Sequence, residues 1–134
     1  MLAYYTFDSG NANNVVSAVS TGTLINGTTI GAGKFGSGLI FDGVNDIVGI
    51  SVAHPEAFTK AAWIKPTNMA HCAANRCTVF SQYLEIINNN VLTFYSNQVS
   101  PVARTSTPSN TIVENERQHV AVTFDGYAIR LFHN

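Results

Sequence analysis

Charge is scarce in this chain. Seven Lys and Arg against eight Asp and Glu make 11% of its 134 residues charged, with a formal net charge of −1. An average soluble protein carries about 25%. No basic stripe is present to neutralise phosphates, so nucleic-acid binding is not expected. No apolar run approaches the roughly 20 residues of a membrane-spanning helix, so membrane insertion is not expected either. The opening "MLAYYTFDSG" has neither a basic n-region nor an apolar h-region, and no signal peptide is legible in it. The expectation is then an excised module, or a protein that leaves the cell by another route.

Cysteine is limited to two residues, Cys72 and Cys77. Their number does not fix a redox compartment. Lying in one short stretch, "HCAANRC", they are read first as a local disulfide and second as free thiols. Zinc comes last, because it needs four ligands. His71 lies beside Cys72, His54 would have to come from elsewhere, and a complete ligand set is not evident.

Helical periodicity is also missing: no amphipathic stretch of twelve or more residues can be found. Short runs rich in Val, Ile, Thr, Tyr and Phe stand in its place, separated by Asn, Gly, Pro and Asp. That pattern predicts a single all-β domain over residues 1–134, a sandwich or barrel. With 46% hydrophobic residues, the chain has the means to bury a core and is not expected to be disordered.

Three turns are legible from their chemistry. In "VAVTFDGYAIRLF", Asp125-Gly126 suits a two-residue type I′ turn, which needs positive φ at both positions. That register sets Phe124 against Tyr127, Val122 against Ile129 and Val120 against Leu131. The other face then carries His119, Ala121, Thr123, Ala128 and Arg130. In "YLEIINNNVLTFY", Asn88-Asn89-Asn90 predicts a three-residue turn, since Asn tolerates the left-handed conformation. Folding about Asn89 pairs Leu84 with Phe94, Ile86 with Leu92, Glu85 with Thr93 and Tyr83 with Tyr95. Asn26-Gly27 predicts a third turn, of hairpin kind. "NGT" at Asn26 is also a glycosylation sequon.

Elsewhere the pattern leaves alternatives open. In "FTKAAWIKP", one parity buries Phe58, Ala62 and Ile64 and turns Trp63 outward; the other buries Trp63. Pro66 ends that strand because it cannot donate to a ladder. "SPVARTSTPSN" reads as a loop or an edge strand. The glycine-rich "GAGKFGSGLIFDGVNDIVGI" has no helix or Lys-Ser/Thr pair behind its glycines, as a phosphate loop would need. Its glycines are expected to mark bends and close backbone approach, with "FDGVND" as the following turn.

The order of "YYTFDSG", "GTLINGTTIGAGKFGSGLIFDGVNDIVGI", "FTKAAWIKP" and "RQHVAVTFDGYAIRLFHN" resembles the laminin G-like jelly roll of the concanavalin A-like lectin/glucanase superfamily. The resemblance implies an antiparallel β-sandwich of jelly-roll type. It also implies a non-catalytic module of an extracellular or surface protein that binds glycans or proteins, often with a structural calcium. Family members often have Asp-x-Ser-Gly-Asn before "GTL"; here Asn14 replaces the Asp and Val16 the Ser. They usually end in a Gly-x-Ile-Asp-Glu-type strand, where this chain has "LFHN". The expected sandwich therefore lacks the usual C-terminal strand, being truncated or compact, or having that edge covered by another chain.

Site expectations follow. Glucanases of the superfamily place catalytic carboxylates on one strand, and retaining glycosidases need two about 5 Å apart. No such run occurs, so no enzyme activity is expected; Glu114 and Glu116 read as a solvated pair. Asp42 and Asp46 flank a turn whose carbonyls could complete a calcium site, although turn aspartates more commonly serve Asx-turns. Trp63, Tyr83, Tyr95, His119 and Arg130 are the candidate ligand platform. Aromatic rings stack on sugar C–H faces and polar groups take up hydroxyls, against the simpler reading that tyrosine favours strands. The leading expectation is recognition of a glycan or glycoprotein. The alternative is a structural or decoration subunit of an extracellular or virion assembly, self-associating through exposed sheet edges.

Overall fold

The computed structural model describes residues 3–52, 55–81, 84–96 and 103–134. The chain is all-β, an antiparallel β-sandwich of jelly-roll type, with strands that fall into two compact units, Met1–His54 and Pro55–Asn134.

The first unit holds β1 (Thr23–Ile25), β2 (Thr29–Ala32), β3 (Ser37–Ile40) and β4 (Ile47–Gly49). β1 pairs with β4 and β2 with β3, both antiparallel. The glycine-rich run is thus a hairpin and the strand that follows. At its tip the Gly33 N–H donates to Gly36 O at 2.9 Å. Gly36 has φ +56, and a Cβ there would collide with the Asp8 carboxylate. That carboxylate accepts the Ser37 N–H at 2.7 Å, tying the N-terminal segment to the hairpin. Asn26 and Gly27 both have positive φ, so the third expected turn is present. It is not a hairpin, because β1 and β2 take different partners. Both hydrogen-bonding ends of the sequon are engaged. Asn26 Nδ2 donates to Asn45 O at 2.8 Å, and the buried Thr28 hydroxyl reaches Ile25 O and Ile47 O.

The second unit holds β5 (Phe58–Ile64), α1 (Met69–Asn75), β6 (Cys77–Phe80), β7 (Leu84–Ile87), β8 (Val91–Ser96), β9 (Ala103–Ser106), β10 (Gln118–Phe124) and β11 (Ile129–His133). One sheet has the order β11-β10-β5; the other is the meander β6-β7-β8-β9. Alternation decides what lies between them. Leu84, Ile86, Leu92 and Phe94 from the meander pack with Val120 and Val122. Phe58 links the two sets, its ring centroid 5.9 Å from those of Phe94 and Phe124. β5 takes the parity that turns Trp63 outward: Phe58, Ala62 and Ile64 are half-buried, while Trp63 is 39% exposed. Lys60 shares the inward parity. Its ammonium lies 5.4 Å from the Phe58 ring centroid and donates to Ser81 O, and burial pulls its pKa down. The charged head reaches a carbonyl while the stem covers apolar surface.

Two hairpins test the expected registers. About Asn89 the observed pairs are Leu84 with Phe94, Glu85 with Thr93 and Ile86 with Leu92, as predicted; Asn89 and Asn90 have φ of 59 and 55. Tyr83 lies outside the described residues. The β10–β11 register differs by two residues: Phe124 pairs with Ile129, Val122 with Leu131 and Val120 with His133. The connection is four residues, 125–128, and takes Ala128 out of the strand face. Gly126 adopts φ +94, but Asp125 is not among the positive-φ residues. Its carboxylate accepts the N–H groups of Tyr127 and Ala128 at 3.0 and 2.8 Å. An Asx-type turn has displaced the type I′ turn. A two-residue shift preserves parity, so Ile129 and Leu131 still face inward.

Candidate functional site

On the outer side of the meander, Glu85, Thr93 and Tyr95 alternate with the core-facing residues of β7 and β8. Outward polar residues normally meet solvent, yet Glu85 is 6% and Thr93 2% exposed. Part of the cover comes from a turn. Arg76 closes α1 with φ 61, its N–H donating to Cys72 O at 2.9 Å. The disulfide between Cys72 and Cys77, with Cα atoms 4.9 Å apart, brackets that turn. Arg76 Nη1 then meets Glu85 Oε2 at 2.9 Å, pairing a buried carboxylate with a guanidinium that is 65% exposed. A buried carboxylate needs such a partner to stay charged. Thr93 is satisfied by Thr105 O at 3.1 Å and the Ser106 hydroxyl at 2.9 Å, both across the β8–β9 ladder.

Arg76, Glu85 and Thr93 line a pocket of about 200 Å³ together with Tyr95 and Arg104. Tyr95 and Arg104 are direct cross-strand partners on β8 and β9. Arg104 is exposed and has no hydrogen-bond or ion-pair partner among the described residues. The pocket therefore offers a half-buried aromatic ring, an ion pair that can accept and donate, and one unengaged guanidinium.

The platform expected from the sequence does not come together. Trp63 and His119 do meet, as β5–β10 partners with rings 5.3 Å apart in an edge-on arrangement. Arg130 lies on the same outer face, opposite Thr123. Its guanidinium is engaged by Asp125 Oδ2 at 2.7 Å. That bond, with the Ala128 and Tyr127 N–H groups, holds the Asp125 carboxyl well below the usual carboxylate range. Tyr95, however, belongs to the other sheet and faces away from Trp63. The two hairpins do not form one surface, because they belong to different sheets of the sandwich. Arg76, Glu85, Thr93 and Arg104, which line the pocket beside Tyr95, are not in the expected set. The available signal was Glu85 opposite Thr93 on a predicted outward face, with "VART" as the edge strand beside it.

Asp42 and Asp46 do come together in the first unit. Asp42 Oδ1 accepts the Val44 N–H at 2.8 Å, and Asp46 Oδ2 accepts the Asp42 N–H at 2.9 Å. Asp46 Oδ1 is buried and has no hydrogen-bond partner among the described residues. The Asp42–Val44 bond is that of an Asx-turn, and the Asp46–Asp42 bond closes the loop from its far end. Among the described residues no group of three or more His, Cys, Asp or Glu side chains forms a metal-type cluster. Glu114 and Glu116 are both exposed, as expected, but Glu114 also has a structural task. Its Oε1 accepts the Met69 N–H at the start of α1, satisfying a donor that a helix leaves orphaned there.

No protein-family model matches this chain, and no curated protein matches it in sequence. Its fold is similar to that of domain 4 of AbnA, a GH43 extracellular arabinanase from Geobacillus stearothermophilus, solved in complex with arabinotriose. That similarity has a TM-score of 0.59 at 16% identity, covering 98% of this chain and 70% of the other. The two share a β-sandwich fold.

Proposed function

We propose that this chain is a non-catalytic, laminin G-like recognition module of the extracellular space that binds carbohydrate at the Tyr95 pocket. The observation that carries the reading is the pocket itself. It sets an aromatic ring beside buried acceptors and guanidinium donors, the mixture that sugar recognition uses. The similarity to a sandwich domain solved with arabinotriose supports it. A binding rather than catalytic role is supported by the single carboxylate in the pocket lining, already tied to Arg76. Glycoside hydrolysis would ask for two.

The test is a glycan array, run with and without calcium, on the wild-type chain and Tyr95→Ala. Binding that falls at least about tenfold in the variant, at unchanged melting temperature, is the expected result. A blank array in both conditions overturns it. The calcium arm addresses Asp42 and Asp46, where the partnerless Asp46 oxygen favours a cation.

A second reading, a self-associating structural or decoration subunit, is favoured by apolar side chains that the first unit leaves exposed. Phe35 and Val44 are 75% and 82% exposed. A monomeric mass by light scattering at every concentration removes that reading.

A further inference from the structure

We infer that the Tyr95 pocket selects a saccharide bearing a carboxylate, a uronate, over the neutral sugar of the same shape. This rests on the carbohydrate-binding reading above. The inference comes from the pocket's charge balance. Its lining holds two guanidiniums and one carboxylate, leaving a net +1. Glu85 spends its charge on Arg76 at 2.9 Å, and the excess charge stays on Arg104. That guanidinium has no partner among the described residues, although ion-paired arginines are found elsewhere in the same unit, as at Arg130.

A planar guanidinium presents parallel N–H donors that fit a carboxylate two at a time, and it stays charged at any physiological pH. Arg104 projects from β9 directly across from Tyr95, so a sugar ring resting on Tyr95 would bring a substituent within its reach. The pocket, at about 200 Å³, is smaller than the roughly 300–1,000 Å³ of drug-sized ligand sites. It suits an end residue or one edge of a chain. Thr93 and Glu85 already have protein partners, which leaves Arg104 as the group able to discriminate by charge.

The experiment compares trigalacturonic acid with its fully methyl-esterified form by titration calorimetry on the whole chain. The ester keeps the rings and removes the charge. The acid should bind about tenfold or more tighter, as expected for a charge-assisted pair. Arg104→Gln should abolish that preference while leaving the weaker ester binding in place. Lys34→Gln, which removes a cation that does not line the pocket, should leave the preference intact. Equal binding of acid and ester by the wild-type chain overturns the inference and leaves the carbohydrate reading standing. A preference that survives Arg104→Gln, or disappears in Lys34→Gln, also overturns it, because general charge would then be responsible. Failure of both probes together with a blank glycan array takes down both readings.

Discussion

Residues Pro55–Asn134 bury nine side chains in one hydrophobic cluster, from Met69 to Val122. Residues Met1–His54 bury only Ala12, Asn14 and Thr28 among those described, and two of those are polar. The second unit is ordered by apolar packing across two sheets. The first is held by side chains bonded to backbone. Asn14 alone accepts the N–H groups of Tyr4 and Val16 and donates to Val19 O, at 2.9–3.1 Å. The Tyr5 hydroxyl donates to Ser20 O at 2.6 Å, its pKa raised by burial. The contrast shows how one chain can order strands by two routes, dispersion and area in one unit and polar saturation of turns in the other.

The largest effect expected is on the packed side. Phe94 is 1% exposed and touches Phe58. Phe94→Ala should cost about 3–5 kcal/mol in urea denaturation, the usual range for a buried aromatic truncated to a cavity. A loss below about 1 kcal/mol would mean that this cluster does not carry the unit.

A middling effect is expected on the polar side. Asn14→Ala strands two backbone donors and a carbonyl, at about 1–3 kcal/mol for each buried group left unpaired. The damage should be local. By hydrogen exchange, the Tyr4 and Val16 amides should lose protection while β7, β8 and β10 keep theirs. Asn14→Asp sharpens the comparison, since it keeps the one oxygen that accepts both N–H groups and loses the donor to Val19 O. It should recover protection at Tyr4 and Val16. Uniform loss across both units in either variant would dissolve the distinction between them.

The same contrast explains what could be read in advance. The hairpin about Asn89 was legible residue by residue, because apolar alternation and left-handed Asn residues agreed on one register. The β10–β11 hairpin was legible in face but not in pairing, because Asp125 used its carboxylate where the turn rule counts only backbone conformation. α1 is not legible because its seven residues fall short of the twelve or more over which an amphipathic pattern is recognised. Its start depends on the Asn68 side chain and on Glu114, 45 residues from Met69. The Tyr95 pocket was legible only in part, since Arg76 reaches it from a helix cap and Arg104 from a strand that reads equally as loop. Residues placed by alternation are visible in a sequence. Those placed by a turn and a distant hydrogen bond are not.

The smallest effect concerns Asp125, and it tests whether polar saturation also acts inside the packed unit. Hydrogen bonds from Arg130, Ala128 and Tyr127 favour its charged form, so its folded pKa lies below the unfolded value of about 3.9. A depressed carboxyl stabilises the fold above the unfolded pKa, and that contribution is lost as pH falls toward the folded value. The group is solvent-exposed, so the change in stability should be slight. The direct reading is by NMR: the Asp125 carboxyl should remain largely ionised at about pH 3, below the usual carboxylate midpoint. Asp125→Asn keeps an oxygen for the Tyr127 and Ala128 N–H groups but removes the charge that Arg130 meets. It should preserve the hairpin register and erase the acid-dependent shift of the Arg130 side-chain resonances. If the Asp125 carboxyl titrates at the ordinary value instead, the Arg130 pair is too loosely held to matter. The turn would then owe its four-residue length to the two backbone bonds alone.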